Sequence, residues 1–456
     1  LTTPYTIIGY RGSEHVYSDG AGNGVHFPQE QNNCTKCHTG GANSDLYKER
    51  PSRLICGSCH DDIDFTQTDQ NAADYHGSGA VGGPQADDSN CTSCHNAAAI
   101  DSVHFVGQIS PTAQFPNVDV LSVANTAPGQ LPEVTFKLDI NGTAVTDLLT
   151  ASPSPLNRLS VLWVGPNTEF AVYEQVGIVS NDALTTDGTA GLAAGTNPGE
   201  YVFTFPAGSE IPATATGSYS IGFEGRITVG SERHAMEGKT FAFAVTDATP
   251  VPRREVVDQA KCNNCHRDLS MHGGGRKGVQ YCITCHNPEN PNDSRIPQTE
   301  TPTLVESTNF RSMIHRVHAG AVLTKTHVFG AYGQNPVDFA KIVHTPRQVN
   351  DCEGCHKPGT YELPLPATNT PDRFEWWSCV GEAPGDDGDD DCNIGTWTMD
   401  SAYYVTPTAS ACQSCHDDDS TAAHTDVMTT AMGVESCATC HGPGDDLGVK
   451  KVHGVE

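Results

Sequence analysis

Long apolar runs and basic residues are both scarce in this sequence. No stretch approaches the roughly 18 consecutive apolar residues that a membrane-spanning helix requires, so we expect no transmembrane segment. The 456 residues include only 26 Lys and Arg against 55 Asp and Glu, which gives a formal net charge of −29. Because so acidic a surface repels nucleic acid and anionic lipid, the sequence argues against binding to either. It favours cationic partners, including metal ions.

Cysteine is almost absent outside one repeated pattern, Cys-x-x-Cys-His, whose eight copies account for 16 of the 18 cysteines. The pattern is the attachment site of c-type haem. Two thiols add to the haem vinyl groups, and the histidine supplies the proximal axial ligand. The sequence therefore predicts eight covalently bound haems c. Their attachment cysteines are Cys34, Cys37, Cys56, Cys59, Cys91, Cys94, Cys262, Cys265, Cys282, Cys285, Cys352, Cys355, Cys412, Cys415, Cys437 and Cys440, and their proximal ligands are His38, His60, His95, His266, His286, His356, His416 and His441.

Zinc is the alternative metal for this cysteine spacing. Two Cys-x-x-Cys pairs separated by roughly 15 to 20 residues are typical of a zinc ribbon. Here 18 residues separate Cys37 from Cys56, and 16 separate Cys265 from Cys282. A zinc ribbon does not require a histidine after each pair, whereas all eight pairs have one in a chain with only 20 histidines. This regularity favours haem.

Methionine is also scarce, with six residues, so it cannot be the general second axial ligand. Twelve histidines lie outside the motifs, which covers the eight distal ligands that eight low-spin haems need and leaves four to spare. Eleven of the twelve lie in the motif-bearing segments, with His234 as the exception. We therefore expect two histidine ligands on each iron.

The two cysteines outside the motifs, Cys379 and Cys392, lie 13 positions apart and flank an acidic Gly/Asp loop. A disulfide between them is the simplest interpretation, with two free thiols as the alternative, and it implies an oxidising compartment. Haem attachment also takes place outside the cytoplasmic membrane. The sequence opens without a signal peptide, so we expect Leu1 to be a mature amino terminus after export through the periplasm of a Gram-negative bacterium.

Peptide mapping without reduction is expected to recover Cys379 and Cys392 as one linked pair, because every other cysteine belongs to a Cys-x-x-Cys-His motif. Alkylation of both as free thiols would refute the disulfide and would weaken the inference of an oxidising compartment.

The spacing of the motifs predicts a multidomain fold with three parts. Three motifs fall in an amino-terminal tri-haem domain, residues 1–105, and five in a carboxyl-terminal penta-haem domain, residues 251–456. Both are rich in Gly, Asp, Asn and Pro and poor in aliphatic runs. We expect loops and short helices wrapped around haems, whose macrocycles replace much of the apolar core. Residues 106–250 contain no cysteine and have the composition of strands.

Six β-branched or aromatic runs, separated by Gly, Pro, Asn and Asp turns, predict strands in the middle segment. They span residues 133–140, 158–164, 170–180, 200–205, 218–229 and 240–246. That number of short strands predicts an antiparallel, Greek-key-like sandwich or barrel. We interpret it as a spacer between the haem domains, and no residue in it indicates flavin binding.

Two local features of the carboxyl-terminal segment carry further predictions. Residues 314–319 predict a short helix that ends at Gly320, with His315 and His318 on one face, where they could ligate two neighbouring haems. The alternative is a helix with two solvent-facing histidines. The acidic run at residues 386–391 is interpreted as a solvated loop, with calcium binding as the alternative, although the run lacks the full EF-hand pattern.

The carboxyl-terminal segment resembles the last haem domain of the OmcA/MtrC family, the outer-membrane and extracellular multihaem c-type cytochromes of metal-reducing bacteria. The resemblance covers about 200 residues. The phrases that carry it are Cys-Asn-Asn-Cys-His-Arg-Asp-Leu-Ser-Met-His-Gly-Gly at 262–274, Cys-Ile-Thr-Cys-His-Asn-Pro at 282–288, Met-Ile-His-Arg-Val-His-Ala-Gly at 313–320, Cys-His-Lys-Pro-Gly-Thr-Tyr at 355–361 and Cys-Ala-Thr-Cys-His-Gly-Pro-Gly at 437–444.

The resemblance implies one distal ligand for each of the five carboxyl-terminal haems, and these are His272, His315, His318, His424 and His453. It assigns no haem to His327 or His344. In the amino-terminal segment the candidate distal ligands are His26, His76 and His104, with His15 in reserve. The full distal set is His26, His76, His104, His272, His315, His318, His424 and His453. The chain departs from the family's order of β domain, five haems, β domain, five haems, since it lacks the first β domain and two haems. We also expect no amino-terminal lipid anchor of the kind common in the family, since the first cysteine of the sequence is Cys34.

Together these features predict a non-enzymatic, extracellular electron conduit. The expected partners are other multihaem cytochromes, metal oxides and soluble redox shuttles, and a homo-oligomer or cytochrome filament is expected from the missing anchor. The alternative is a nitrite- or hydroxylamine-type oxidoreductase with one open haem. Such enzymes need an unusual axial position, and neither a Cys-x-x-Cys-Lys site nor a shortage of histidine is present.

Overall fold

The structure, a computed structural model, describes residues 4–8, 14–19, 24–25, 29, 31–78, 81–110, 112–290, 303–329, 337–343, 349–380 and 396–455. The chain divides into two compact units. One comprises residues 1–111 with 341–347, and the other comprises residues 112–340 with 348–456. No helix among the described residues is long and apolar enough to cross a membrane. The predicted domain limits at residues 105 and 250 stay a prediction.

The first unit consists of short helices and short strands. Its elements are β1 (Pro4–Ile8), β2 (Glu14–Asp19), β3 (Gly24–Val25), α1 (Leu46–Glu49), α2 (Arg53–Gly57), β4 (Gly77–Ser78), β5 (Val81–Gly82), α3 (Cys91–Cys94) and α4 (Ala97–Val103), with β22 (Ile342–Val343) joining β3 in parallel. Side-chain caps start two of the helices, because Ser52 accepts from the backbone N–H of Ile55 and Asn96 accepts from that of Ala99. Local hydrogen bonds thus define these helices.

The middle segment forms two antiparallel sheets. The elements are β6 (Pro116–Ala124), β7 (Glu133–Ile140), β8 (Thr143–Ala144), β9 (Arg158–Gly165), β10 (Val172–Ser180), β11 (Ala183–Leu184), α5 (Thr186–Gly191), β12 (Leu192–Ala194), β13 (Glu200–Thr204), β14 (Ser218–Val229), β15 (Glu232–Ala235) and β16 (Thr240–Ala244). One sheet runs β11, β10, β9, β14, β15, with β16 also paired to β14, and the other runs β12, β13, β7, β6, with β8 paired to β7. The predicted antiparallel β domain is confirmed, and all six predicted strands are present.

One hydrophobic core lies between the two sheets. Alternate residues of β7, including Val134, Phe136 and Leu138, point inward and are fully buried. The Phe136 ring packs 4.7 Å from that of Phe223 on β14, which belongs to the other sheet. Because both sheets bury their inner faces in one cluster, the domain is a sandwich.

The carboxyl-terminal segment contains more sheet than the sequence predicted. Its elements are α6 (Gln259–Cys262), β17 (Ser270–Met271), β18 (Arg276–Lys277), α7 (Val279–Cys285), β19 (Thr303–Val305), α8 (Phe310–Ala319), β20 (Val328–Phe329), β21 (Val337–Asp338), β23 (Asp372–Val380), β24 (Thr396–Val405), α9 (Pro407–Gln413), α10 (Asp419–Val427), α11 (Ala438–His441) and α12 (Val449–His453). We expected loops and short helices, but β19, β23 and β24 form a three-stranded sheet. β24 is exposed along nearly its whole length, so its sequence lacks the alternation by which a half-buried strand is recognised.

Helix α8 is the predicted helix, and it is one turn longer than the sequence indicated. It begins at Phe310 and ends at Ala319, and Gly320 closes it with a positive φ of 52°. This backbone conformation favours glycine. The prediction of a helix that ends at Gly320 is confirmed.

A buried ion-pair cluster joins the β sandwich to the carboxyl-terminal segment. Glu224 on β14 is only 2% exposed, and its carboxylate binds Arg158 on β9 at 2.8 Å and Arg276 on β18. Burial alone would raise the pKa of Glu224, but the two arginines outweigh it and hold that pKa below its usual value. Nearby, the hydroxyl of buried Tyr281 on α7 accepts from Gln175 on β10 at 2.9 Å.

Candidate haem-binding sites

All eight motifs adopt one local conformation, a single helical turn. In each motif the histidine N–H donates to the carbonyl of the first cysteine, with N···O distances of 2.9–3.0 Å. Positions i, i+3 and i+4 of a helical turn share one face. Both thiols and the imidazole therefore project to the same side of the turn, which is the geometry needed to fix one macrocycle at two points and to ligate its iron. This geometry explains the spacing of the motif, in which two residues separate the cysteines and the histidine directly follows the second cysteine.

Seven of the eight motif histidines face one histidine from outside the motifs. Their ring centroids lie 5.9–6.3 Å apart. The pairs are His60 with His104, His95 with His76, His266 with His318, His286 with His272, His356 with His315, His416 with His453 and His441 with His424. Each pair joins one expected proximal ligand to one expected distal ligand, and no histidine is used twice.

The separation within these pairs fits a six-coordinate iron. An imidazole nitrogen ligates a transition metal from about 2 Å, so two imidazoles on opposite sides of one metal have ring centroids about 6 Å apart. The interplanar angles range from 23° in the His315–His356 pair to 89° in the His266–His318 pair. Direct contact between two rings would change their separation with the angle. A nearly constant separation at all angles is the spacing that one metal ion ligated by both rings would impose, and the residues present therefore fit haem iron.

Hydrogen bonds at Nδ1 prepare many of these imidazoles for ligation through Nε2. Because a carbonyl oxygen only accepts, Nδ1 must carry the proton, and the lone pair remains on Nε2. The Nδ1 to carbonyl contacts, at 2.8–3.1 Å, are His76 to Gly83, His104 to Ile100, His286 to Thr308, His318 to Ile314, His441 to Leu447 and His453 to Val449. The Nδ1 of His356 instead lies 3.2 Å from the Thr360 hydroxyl.

Three distal histidines share a helical placement, which the sequence predicted for His318 but not for the other two. His104, His318 and His453 lie at or beside helix carboxyl ends, and each donates from Nδ1 to the carbonyl four residues earlier. One turn of helix thus orients the imidazole that follows it. A run of helix-forming residues directly before a histidine, such as Ala97–Val103 before His104, was the available signal.

His272 reaches its partner through an unusual backbone turn. Its φ is +54°, and Gly273 and Gly274 follow with φ of +70° and +73°. A side chain other than glycine costs about 1–3 kcal/mol in a sparsely populated region of this kind, and such strain clusters at ligand sites. The His-Gly-Gly sequence therefore turns the chain so that the His272 ring lies 6.0 Å from that of His286.

Burial keeps several of the paired histidines neutral. Burial, with smaller contributions from His356, His318 and Arg311, lowers the pKa of His315 to about 3. Burial also lowers the pKa values of His286 and His356. A neutral imidazole is the form that ligates a metal, so these side chains need not lose a proton at neutral pH.

Thiols of successive motifs lie close enough to interact electrostatically. Burial raises the pKa of Cys34, and the Cys59 thiol raises it further. The Cys91 thiol likewise raises the pKa of Cys56. These two interactions link the first three motifs within the first unit. The motifs therefore form a row in this unit.

The second unit contains a corresponding row. A hydrogen bond with Cys355, together with burial, raises the pKa of Cys262. Burial raises the pKa values of Cys412 and Cys415 to about 11, and the neighbouring motifs, through Cys437 and Cys352 respectively, add to the effect. The fourth, sixth, seventh and eighth motifs are thus successive neighbours.

The eighth motif histidine, His38, and the remaining predicted residues are not part of these seven histidine pairs. The His38 ring lies 5.0 Å from that of Tyr47. Its expected ligand His26 lies outside the described residues, as do His344, Cys392, the 386–391 loop and the side chains of His15 and Cys379. Buried His327 contacts Glu306 at 2.5 Å, and His234 lies 2.8 Å from the Gln114 carbonyl. No group of three or more His, Cys, Asp or Glu among the described residues is arranged to hold a metal ion on its own.

The attachment turns and histidine pairs define the chain as a multihaem c-type cytochrome. Residues 254–454 match the model of the outer membrane cytochrome MtrC/MtrF-like family, domains II/IV. A 45-residue segment is 47% identical to the multihaem cytochrome MtrC of Shewanella baltica, although it spans 9% of this chain and 7% of that protein. The resemblance to the OmcA/MtrC family is confirmed, and residues 254–454 carry the family match.

Two solved structures share the fold over most of this chain. MtrC from Shewanella baltica OS185 matches with a TM-score of 0.55 at 17% identity, over 90% of this chain. The outer membrane decahaem cytochrome OmcA matches with a TM-score of 0.55 at 19% identity, over 99% of this chain. In both cases the match covers 64% of the other chain, so this chain spans about two thirds of the length of those relatives.

Proposed function

We propose that the chain is an octahaem electron conduit outside the cytoplasmic membrane, passing electrons to extracellular acceptors. The observation that carries the proposal is the set of seven histidine pairs, each joining one motif histidine to one other histidine at 5.9–6.3 Å. Bound haem iron supplies the redox chemistry by cycling between ferric and ferrous states. Metal oxides, soluble shuttles and other multihaem cytochromes are the proposed acceptors, in keeping with relatives described as outer membrane cytochromes.

The protein's residues hold and tune the haems in this proposal. The motif thiols would hold each macrocycle, and the two imidazoles of each pair would both ligate its iron, which would leave that iron no site for a substrate. Helix α8 supplies ligands to two different sites, because His315 faces His356 and His318 faces His266. A rigid helix between two sites favours fast transfer, since it keeps the separation of the haems constant.

A filament of stacked subunits is an extension of this function. His15 and His26 precede the first motif, and either could ligate the first haem of its own chain or of a neighbour. Electron microscopy of the secreted protein distinguishes the two arrangements. Filaments are the expected result, and monodisperse particles of one chain would remove this extension while leaving the conduit in place.

Intact mass spectrometry tests the haem count. The mass of the holoprotein is expected to exceed that of the apoprotein by eight haems, because all eight motifs form the same attachment turn. Six or fewer haems, or stoichiometric zinc in their place, would contradict the proposal.

A further inference from the structure

Three arginines form a buried cluster beside the sixth haem motif. Arg253 and Arg254 both bind the carboxylate of Glu169, at 2.5 and 2.6 Å. Arg311 on α8 binds the carboxylate of Asp372, which is 0% exposed. The cluster is continuous, because Arg254 bonds to the side chain of Asn369 and Arg311 donates to the neighbouring Thr370 carbonyl at 3.1 Å.

The positive charge of this cluster exceeds its negative charge. Among the described residues, the ion pairs of the cluster contain three guanidinium groups and only two carboxylates, those of Glu169 and Asp372. The side chains of Arg253 and Arg311 are 12% and 15% exposed. Burial lowers the pKa of Arg253, and the positive charges of Arg254 and Arg311 also act in that direction. A buried charge without a counter-ion is costly, so the cluster requires one further anion.

Two N–H groups in the cluster also lack an acceptor. The Nε atoms of Arg253 and Arg311 are buried and have no hydrogen-bond partner among the described residues. Both side chains use Nη2 for their carboxylates, and Arg311 uses the same atom for Thr370. An unsatisfied buried donor is energetically costly, so these two groups indicate an acceptor oxygen, and the charge count indicates that it is anionic.

The cluster lies beside one histidine pair. Arg311 is one helical turn before His315, and side chains on a helix lean toward its amino terminus, so the His315 imidazole lies over the Arg311 turn. The segment after Arg253 runs along the sixth motif. Val257 forms a bridge with His356, and the Asp258 N–H donates to the Cys355 carbonyl. Arg311 therefore lies beside His315, and Arg253, whose charge acts together with that of Arg311, lies on the segment that leads to the sixth motif.

We propose that Arg253 and Arg311 bind a propionate carboxylate of the haem held between His315 and His356, each donating its Nε–H. The two propionates are the anionic side chains that a haem brings to such a site. The charge of one propionate balances the third guanidinium, and its oxygens accept from both Nε atoms. The assignment rests on the proposed function. It adds a way of setting the reduction potential of this one haem, because a neutralised propionate makes reduction of its iron more favourable.

Two variants and a matched control test this assignment on the holoprotein. Arg253→Gln and Arg311→Gln are each expected to lower the reduction potential of one and the same haem in spectroelectrochemical titration, since the released propionate charge stabilises ferric iron. That haem is identified as the one that becomes high-spin in His315→Ala. Arg254→Gln is the control, because it removes the same charge from the cluster but Arg254 is not one of the two arginines with an unsatisfied buried Nε–H. Its effect on this reduction potential is expected to be smaller. An equal effect of Arg254→Gln, or no change in either variant, would overturn the assignment.

A crystal structure of the haem-loaded wild type tests the contact without any variant, which matters because Arg311→Gln also breaks the pair with Asp372. Both Nε atoms are expected within about 3.2 Å of one propionate carboxylate. Water or a protein carbonyl at either Nε would overturn the assignment. Failure of the proposed function is recognised separately, by a haem count below eight or by the absence of bis-histidine iron at the other sites.

Discussion

His315→Ala is expected to open one haem iron, the one attached through Cys352 and Cys355. Among the described residues the His315 ring is paired with that of His356, at 5.9 Å, so its loss is expected to remove one sixth ligand. His318→Ala should open a different iron, that of the Cys262 and Cys265 site, because His318 faces His266. Carbon monoxide binding, followed by the Soret difference spectrum, is expected to show one new high-spin haem in each single variant and two in the double variant.

Haem attachment should survive these substitutions. The attachment turns contain neither histidine, so all variants are expected to retain eight haems by mass. Electron transfer should slow, because an opened iron changes its potential and reorganises more on reduction. His327→Gln is the matched control, since His327 is also buried and its imidazole contacts the carboxylate of Glu306, and this variant should stay fully low-spin. A low-spin His315→Ala would remove His315 from the ligands and bring His327 and His344 into consideration.

Glu224→Gln is expected to destabilise the second unit by about 3–5 kcal/mol, the typical cost of removing one partner from a buried ion pair. Glu224 is 2% exposed and binds both Arg158 and Arg276, so the substitution leaves two guanidinium groups without their anion. Urea denaturation of the holoprotein, followed by far-ultraviolet circular dichroism, measures the loss. Glu210→Gln is the control, because Glu210 is exposed and its change should stay within about 0.5 kcal/mol.

The destabilisation by Glu224→Gln should depend on pH. The pKa of Glu224 lies below its usual value in the folded chain. Its ionised form therefore contributes stability above the unfolded pKa of about 4.3, and this contribution is lost as the pH falls through the folded value. The stability difference between wild type and variant should be full at pH 7 and should shrink below about pH 4. A difference that is constant down to pH 2 would contradict the ion-pair explanation.

Local pattern was enough to predict the elements that are specified by neighbouring residues. Strands β7 and β14 begin and end at the predicted residues, since their buried, β-branched and aromatic side chains are continuous in the sequence. The eight haem-attachment motifs were recognised from their spacing, and the end of α8 at Gly320 was predicted from one glycine. These features depend on contacts only a few residues apart.

Features that depend on distant contacts could not be predicted from residue patterns. The pairing of His60 with His104, and of His416 with His453, joins residues far apart in sequence, and no local pattern specifies which histidine faces which. β24 was missed because its exposed residues show no alternation. The Arg253 and Arg311 cluster was missed because its charge imbalance exists only once Glu169 and Asp372 are brought to it.

Spin quantitation by electron paramagnetic resonance of the oxidised holoprotein tests the central claim most directly. Every haem is proposed to have two histidine ligands, so the account predicts low-spin ferric signals that integrate to eight irons per chain. A stoichiometric high-spin species that binds nitrite or hydroxylamine would contradict it, and would identify an open iron and an enzyme in place of a conduit.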